Sequence, residues 1–367
     1  MTEMREQSSR ENYGDYPVKG RDFMKKGLQK LALALCAALV MTSFAACSAK
    51  EEANNSSQEN TSPVSSTTVE KELVNVAALK GPTAIGMAKL MGDNDSQQTQ
   101  NQYNFTIAAA ADDIVGKLTS GEVDIAAIPT NLAATLYQKT NGGIQMLAVN
   151  TLGVLYLTDS TGEIQSVDDL KGKTIYASGE GSVPQYVFDY ILAQNGIDPQ
   201  KDVTIEYKTE HSELATLAIS GDAPICVLPE PFVTQVKAKN SNITAALDLT
   251  EEWEKVTDGK YQLAMGCIVV RKGFLDEHKE AVDKFLSEYK ASTEYANSNI
   301  EQTAKIVGEK DIMPEEVAKQ AIPNCNIVFL SGEEMKQSVS GFYQVLMDFQ
   351  PKSIGGKLPD DAFYYQQ

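Results

Sequence analysis

Histidine and tryptophan are almost missing from this 367-residue chain: His211 and His278 are the two histidines, and there is one tryptophan. So few imidazoles leave little for acid–base work near neutral pH or for holding a metal ion. No G-x-S-x-G elbow and no paired zinc spacing occurs, so no residue reads as an activated nucleophile. Cysteine is scarce beyond the first 50 residues, where Cys226, Cys267 and Cys325 remain. An odd number without C-x-x-C spacing indicates neither a disulfide framework nor a metal site, and Cys226 and Cys267 fall in apolar strand patterns that suit buried thiols. Positive charge is short as well: 32 Lys and Arg against 50 Asp and Glu give −18. Setting aside residues 1–46, with seven basic and five acidic groups, leaves 25 against 45 and a net charge of −20. Such a surface excludes nucleic acid and anionic lipid headgroups as partners.

What is present begins with a leader. Met24-Lys-Lys-Gly-Leu-Gln-Lys30 is a basic segment, residues 31–40 form a short apolar run, and Ser43-Phe-Ala-Ala-Cys47 supplies small residues before a cysteine. That layout is a secretory signal over residues 1–46, with Met24 as the alternative start, and the run is too short for a permanent span. Ala45-Ala46-Cys47 resembles the lipobox of bacterial lipoproteins, whose cysteine is acylated, although Phe44 departs from the usual Leu or Val. Residues 47–71 are rich in Ser, Thr, Asn and Glu and cannot bury enough surface to offset their ordering entropy, so they read as a flexible tether.

The globule is organised around a repeat. Residues 114–136, IVGKLTSGEVDIAAIPTNLAATL, return as 214–236, LATLAISGDAPICVLPEPFVTQV, with Ser120-Gly121, Ile125 and Pro129 each matched 100 positions on by Ser220-Gly221, Ile225 and Pro229. The register runs backwards without a gap: strands 74–79 and 105–107 fall on 174–179 and 205–207. Strands alternate with helices throughout, which predicts an α/β fold of parallel sheets in two lobes. Beyond residue 271 the pattern reads as helical, over 280–297, 300–307, 314–320 and 333–349.

In parallel sheets ligands bind beyond the carboxyl ends of the strands, where helices begin. Six loops qualify: 80–83, 110–113 and 129–131 from the first copy, and 179–182, 210–213 and 229–231 from the second. Asp112 is the expected N-cap of its helix, and Thr130 or Asn131 could cap the next. Gly179-Glu-Gly-Ser-Val-Pro184 fails the dinucleotide pattern at Pro184, and Gly172-Lys173-Thr174 fails the phosphate-loop pattern at Val167, so no nucleotide cofactor is read. Pro229-Glu230-Pro231-Phe232 offers a carboxylate and an aromatic face, whereas its counterpart Pro129-Thr130-Asn131-Leu132 offers a hydroxyl and an amide. A small, polar, nitrogen-containing or aromatic molecule fits Glu230 and Phe232.

The leader, the tether, the two lobes and the ordered phrases Asp169-Leu-Lys-Gly-Lys173, Ser220-Gly221, Pro229-Glu-Pro-Phe232 and Phe274-Leu-Asp-Glu-His-Lys-Glu-Ala-Val282 resemble the type II periplasmic solute-binding proteins of ABC importers. The resemblance is to the group that takes sulfonates, taurine, nitrate and the pyrimidine precursor of thiamine. It implies a hinged protein with an interlobe ligand cleft. Lobe 1 would hold 72–152 plus 255–367 and lobe 2 would hold 153–254. Implied ligand contacts are Lys80, Thr83, Asp112, Thr130 and Asn131 on one side and Glu180, Ser182, His211, Glu230 and Phe232 on the other. The implied protein is a monomer outside the cytoplasm, lipid-anchored through Cys47, without cofactor or catalysis. It hands a small molecule to a permease and its ATPase. The alternatives are a sensor's binding subunit and an enzyme like pyrimidine synthase, whose cysteine-rich motif is not seen here.

Overall fold

A computed structural model describes residues 71–366. The expected leader, Cys47 and nearly all of the tether lie outside the described residues. In chain order the first half runs β1 (Leu73–Leu79), α1 (Pro82–Ile85), α2 (Ala88–Asp95), β2 (Gln102–Ala108), α3 (Ala111–Ser120), β3 (Ile125–Pro129), α4 (Thr130–Lys139), β4 (Ile144–Thr151), β5 (Leu155–Asp159), β6 (Thr174–Ser178) and α5 (Val183–Gln194). The second half runs β7 (Thr204–Lys208), α6 (His211–Ser220), β8 (Ile225–Pro229), α7 (Phe232–Lys239), β9 (Thr244–Asp248), α8 (Leu249–Val256), β10 (Gly266–Arg271), α9 (Lys272–Glu277), α10 (Lys279–Ser298), α11 (Ile300–Glu309), α12 (Glu315–Ala321), β11 (Ile327–Ser331) and α13 (Gly332–Phe349).

These strands form two sheets, one ordered β11-β4-β10-β3-β1-β2 and the other β7-β6-β8-β5-β9. Within each, the first three strands of a copy pair in parallel: β1 with β2 and β3, and β6 with β7 and β8. Buried on both faces, such strands carry unbroken apolar runs, as in Ile125–Pro129 and Ile225–Pro229. The remaining pairs are antiparallel. β10 enters the larger sheet between β3 and β4, and β5 enters the smaller between β8 and β9. The all-parallel expectation therefore holds for three strands of each sheet, and the strand that follows each passage between sheets runs the other way.

The repeat survives in three dimensions at its sequence spacing. α3 and α6 both end on a glycine in the left-handed region, Gly121 at φ 83° and Gly221 at φ 87°, where a side chain would be strained. One apolar core spans elements of both sheets. In it Trp253 of α8 is fully buried, donates Nε1–H to the Tyr261 carbonyl at 2.7 Å, and meets Phe342 of α13 and Tyr190 of α5 at ring separations of 5.5 and 5.3 Å.

Two elements differ from the sequence reading. No helix is read from the sequence over residues 249–256, yet α8 forms there, its start capped by the Asp248 carboxylate accepting from the Thr250 and Glu251 amides. The run Ile327–Ser331, read among helices, is instead the edge strand β11 on β4. Cys226, Cys267 and Cys325 are free and buried, and burial pushes each thiol pKa up. Among the described residues no helix is long and apolar enough to cross a membrane.

Candidate functional site

The residue at or just after the carboxyl end of each parallel strand, from both sheets, lines one cavity: Leu79, Ala109, Pro129, Gly179, Thr209 and Pro229. The cavity is about 120 Å³. On the same measure a water needs roughly 10–15 Å³, so the space suits a small molecule and not a peptide. A wider compartment of about 410 Å³ adjoins it, sharing Ala110, Ala111, Gly179, Ser182 and Thr209 and adding Asp112, Glu180, Tyr207 and Lys208.

Helices start at this cavity without side-chain caps. The N-caps of α3, α5 and α6 are Ala110, Ser182 and Glu210, and none accepts from its own first turn through a side chain. Ser182 Oγ donates to the Gly179 carbonyl at 2.8 Å instead. Amides of a first turn that lack a cap are free to meet a ligand's oxygen atoms, and the helix dipole favours negative charge there. Lys80, on the loop after β1, adds a cation to the lining.

Glu230 supplies the opposite character. It is 3% exposed and lines the cavity, its Oε2 accepting from the Thr234 amide at 3.1 Å and its Oε1 from the Thr234 hydroxyl at 3.0 Å. Burial lifts its pKa above the usual carboxylate range, while the Thr234 bonds and the charge of Lys237 pull the other way. A carboxylate has about four lone-pair sites, so two acceptor positions remain for a ligand. Phe232 and His211 stand beside it, their rings 5.5 Å apart. His211 Nδ1 lies 2.6 Å from Ser178 Oγ, and desolvation of the ring lowers its pKa to about 4.

Of the ten residues expected at the site, Lys80, Thr83, Ser182, His211, Glu230 and Phe232 line the inner cavity. Thr83 does so with its hydroxyl already donated to the Leu79 carbonyl at 2.9 Å. Asp112 and Glu180 are exposed and border the wider compartment. Asp112 is in the first turn of α3 and is not its N-cap, because Ala110 takes the extended cap conformation.

Thr130 and Asn131 are turned to other tasks. Thr130 is fully buried, its hydroxyl donating to the Ala264 carbonyl and its carbonyl accepting from the Tyr343 hydroxyl, both at 2.7 Å. Neither it nor Asn131 caps α4, whose N-cap is Pro129. Asn131, 1% exposed, donates from Nδ2 to the Gly181 carbonyl at 3.2 Å and to the Ser353 carbonyl at 3.1 Å, and so joins loops of the two sheets.

Thr151, Val154, Thr209, Met265 and Gly266 also line the cavity and were not foreseen. Met265 and Gly266 arrive because β10 inserts beside β3, a neighbour 137 positions away at the Gly266 and Pro129 pairing. Behind the glycine loop, Gln185 Oε1 accepts from the Gly181 amide at 2.8 Å and its Nε2 donates to Asp189 at 3.3 Å. Asp189 is 4% exposed, and burial pushes its pKa up to about 6. Among the described residues no group of His, Cys, Asp and Glu is placed to hold a metal ion.

Residues 92–311 match the model of a family described as the periplasmic substrate-binding protein of phosphonate ABC transporters. A Bacillus subtilis (strain 168) protein described as a binding protein, YtlA, is 33% identical over 72 residues, 20% of this chain and 22% of that protein's length. The stretch shared with this curated relative is thus about a fifth of it. A solved ABC transporter structure from Parabacteroides distasonis is 25% identical, with 81% of this chain and 100% of that chain covered and a TM-score of 0.67. The alkanesulfonate-binding protein SsuA from Xanthomonas axonopodis pv. citri, solved with MOPS bound, is 13% identical, with 79% and 96% covered and a TM-score of 0.63, a likeness of fold alone.

Proposed function

This chain belongs to the family of periplasmic substrate-binding proteins of phosphonate ABC transporters, and from that membership we propose that it captures one small organic molecule between its two sheets and hands it to an import permease. The cavity where the six strand-end loops meet carries this reading. The two bodies that close on the ligand are residues 72–152 with 255–367, and residues 153–254, hinged at the two passages. Acylation of Cys47 holds the protein to the outer face of the membrane through the tether, as a monomer beside its permease and ATPase. Binding and release without chemistry is the reading that membership of a substrate-binding family supports.

The ligand class follows from the two characters of the lining. Uncapped helix starts and Lys80 suit an oxyanion group, phosphonate or sulfonate in kind, while the buried Glu230 suits an N–H donor or a cationic nitrogen. A dianion alone would meet an uncompensated buried carboxylate, so we assign a molecule with both groups and an apolar face for Phe232. Melting temperature against a panel of alkylphosphonates, aminoalkylphosphonates, sulfonates, taurine, nitrate and pyrimidines tests it, because a ligand of the folded state raises that temperature. Aminoalkylphosphonates or taurine should give the larger shifts, and a shift with nitrate or simple sulfonates alone would sink the assignment. Glu230→Gln should weaken a nitrogen-bearing ligand roughly 10- to 100-fold, the worth of one charge-assisted hydrogen bond, and should not weaken its amine-free analogue.

A further inference from the structure

Ser178, at the end of β6, is buried and lines neither compartment, yet its Oγ sits 2.6 Å from His211 Nδ1. Among the described residues neither Ser178 Oγ nor His211 Nε2 has another hydrogen-bond partner. A hydroxyl has one proton to donate, and a neutral imidazole has one N–H and one acceptor nitrogen. Were the ring proton on Nδ1, the hydroxyl hydrogen of Ser178 would be buried with no acceptor, a costly arrangement. With Ser178 as donor, the buried hydroxyl hydrogen meets Nδ1 and the ring hydrogen is on Nε2. That atom is not among the buried unpaired ones, and His211 lines the inner cavity, so the N–H has open space before it. Tilted contact with Phe232, at 48° between planes, holds the ring's orientation. Desolvation keeps the ring neutral down to a pKa of about 4, so its donor character does not change across ordinary pH.

We propose that Ser178 is a positioning residue that fixes His211 as an Nε2–H donor toward the bound molecule, so that this corner of the site takes an acceptor atom and refuses a donor. Beside it Glu230 takes donors only, and the two together impose a polarity on the ligand. The role toward ligand rests on the function proposed above; the tautomer itself does not.

Ring nitrogen chemical shifts of the ¹⁵N-labelled full chain test the proposal without any ligand. With two histidines in the chain, a His278→Gln variant assigns the signals. His211 should show a protonated Nε2 and a bare Nδ1 from pH 5 to pH 8. Ser178→Ala should give a tautomer mixture and about tenfold weaker binding of aminomethylphosphonate, and Ser178→Thr should keep both properties of the parent. A protonated Nδ1 in the parent protein overturns the proposal, as does an unchanged tautomer in Ser178→Ala. If Ser178→Ala does not fold, the parent spectrum and the Ser178→Thr variant decide. A parent with the expected tautomer that binds no aminomethylphosphonate refutes the ligand class, whereas a Ser178→Ala protein that binds it as the parent does refutes the role in ligand choice.

Discussion

At Gly153 the chain first leaves the six-stranded sheet, and the second passage runs directly against it. A Cβ built on Gly153 would lie 2.3 Å from Thr250 Oγ1, 2.6 Å from its Cγ2 and 2.9 Å from its Cβ. All three distances are under the 3.0 Å that real Cβ atoms essentially never breach. Because the Thr250 Cβ is itself too close, rotating that side chain does not remove the conflict. Nor can the helix start slide away freely, since the Thr250 amide donates to Asp248 at 2.8 Å. Gly153→Ala must therefore push the two passages apart. Overpacking costs typically 1–3 kcal/mol and occasionally more, and three conflicts at once place the expected loss near 3 kcal/mol.

Thr250→Gly removes the obstacle and should cost roughly 0.5–1 kcal/mol, the penalty for glycine in a helix. If the contact is the cause, the double variant recovers much of the loss, with a coupling of about 2 kcal/mol in urea unfolding. A Gly153→Ala protein within about 0.5 kcal/mol of the parent, or strictly additive variants, would refute the reasoning.

Two further outcomes are expected. Asp189 titrates near 6 in the folded protein against 3.8 unperturbed. Its pKa is raised by folding, so its favourable contribution is full below about 4 and is lost as pH climbs through about 6. Two units correspond to about 3 kcal/mol, so Asp189→Asn should be more stable than the parent at pH 8 by about 2–3 kcal/mol and equal to it at pH 4, as read by urea unfolding; no gain at pH 8 would count against the assignment. Thr130→Val should cost about 1–2 kcal/mol through the lost bond to Ala264 while changing ligand affinity less than about threefold, which titration calorimetry can check; a loss of tenfold would make Thr130 a ligand contact after all.

The repeat made much of the fold legible, because a spacing of 100 positions reports matched elements before any is built: α3 and α6, and β3 and β8, begin and end that far apart. The strand-end loops followed from the same logic. What the sequence hid has physical causes. α8 contains the charged run Glu251-Glu252 and Lys255 around Leu249 and Trp253, and its helical face became readable only where Trp253 is buried. β11 is a five-residue edge strand, too short for periodicity to separate from helix. Thr130 and Asn131 sit where a ligand contact belongs by pattern. A residue type does not reveal whether a hydroxyl faces a cavity or a backbone carbonyl 134 positions away.

The antiparallel strands β5 and β10 carry a consequence for cooperativity. Each half of the duplicated chain builds four strands of its own sheet and lends its fifth to the other, β5 to the gap between β8 and β9 and β10 to the gap between β3 and β4. This is the geometry of a strand-exchanged dimer fused into one polypeptide. Neither half alone can close its sheet, since a missing central strand leaves unpaired amides and carbonyls on both sides of the opening. The two sheets are thus reciprocal completions of each other, and they should melt in a single transition, not one after the other.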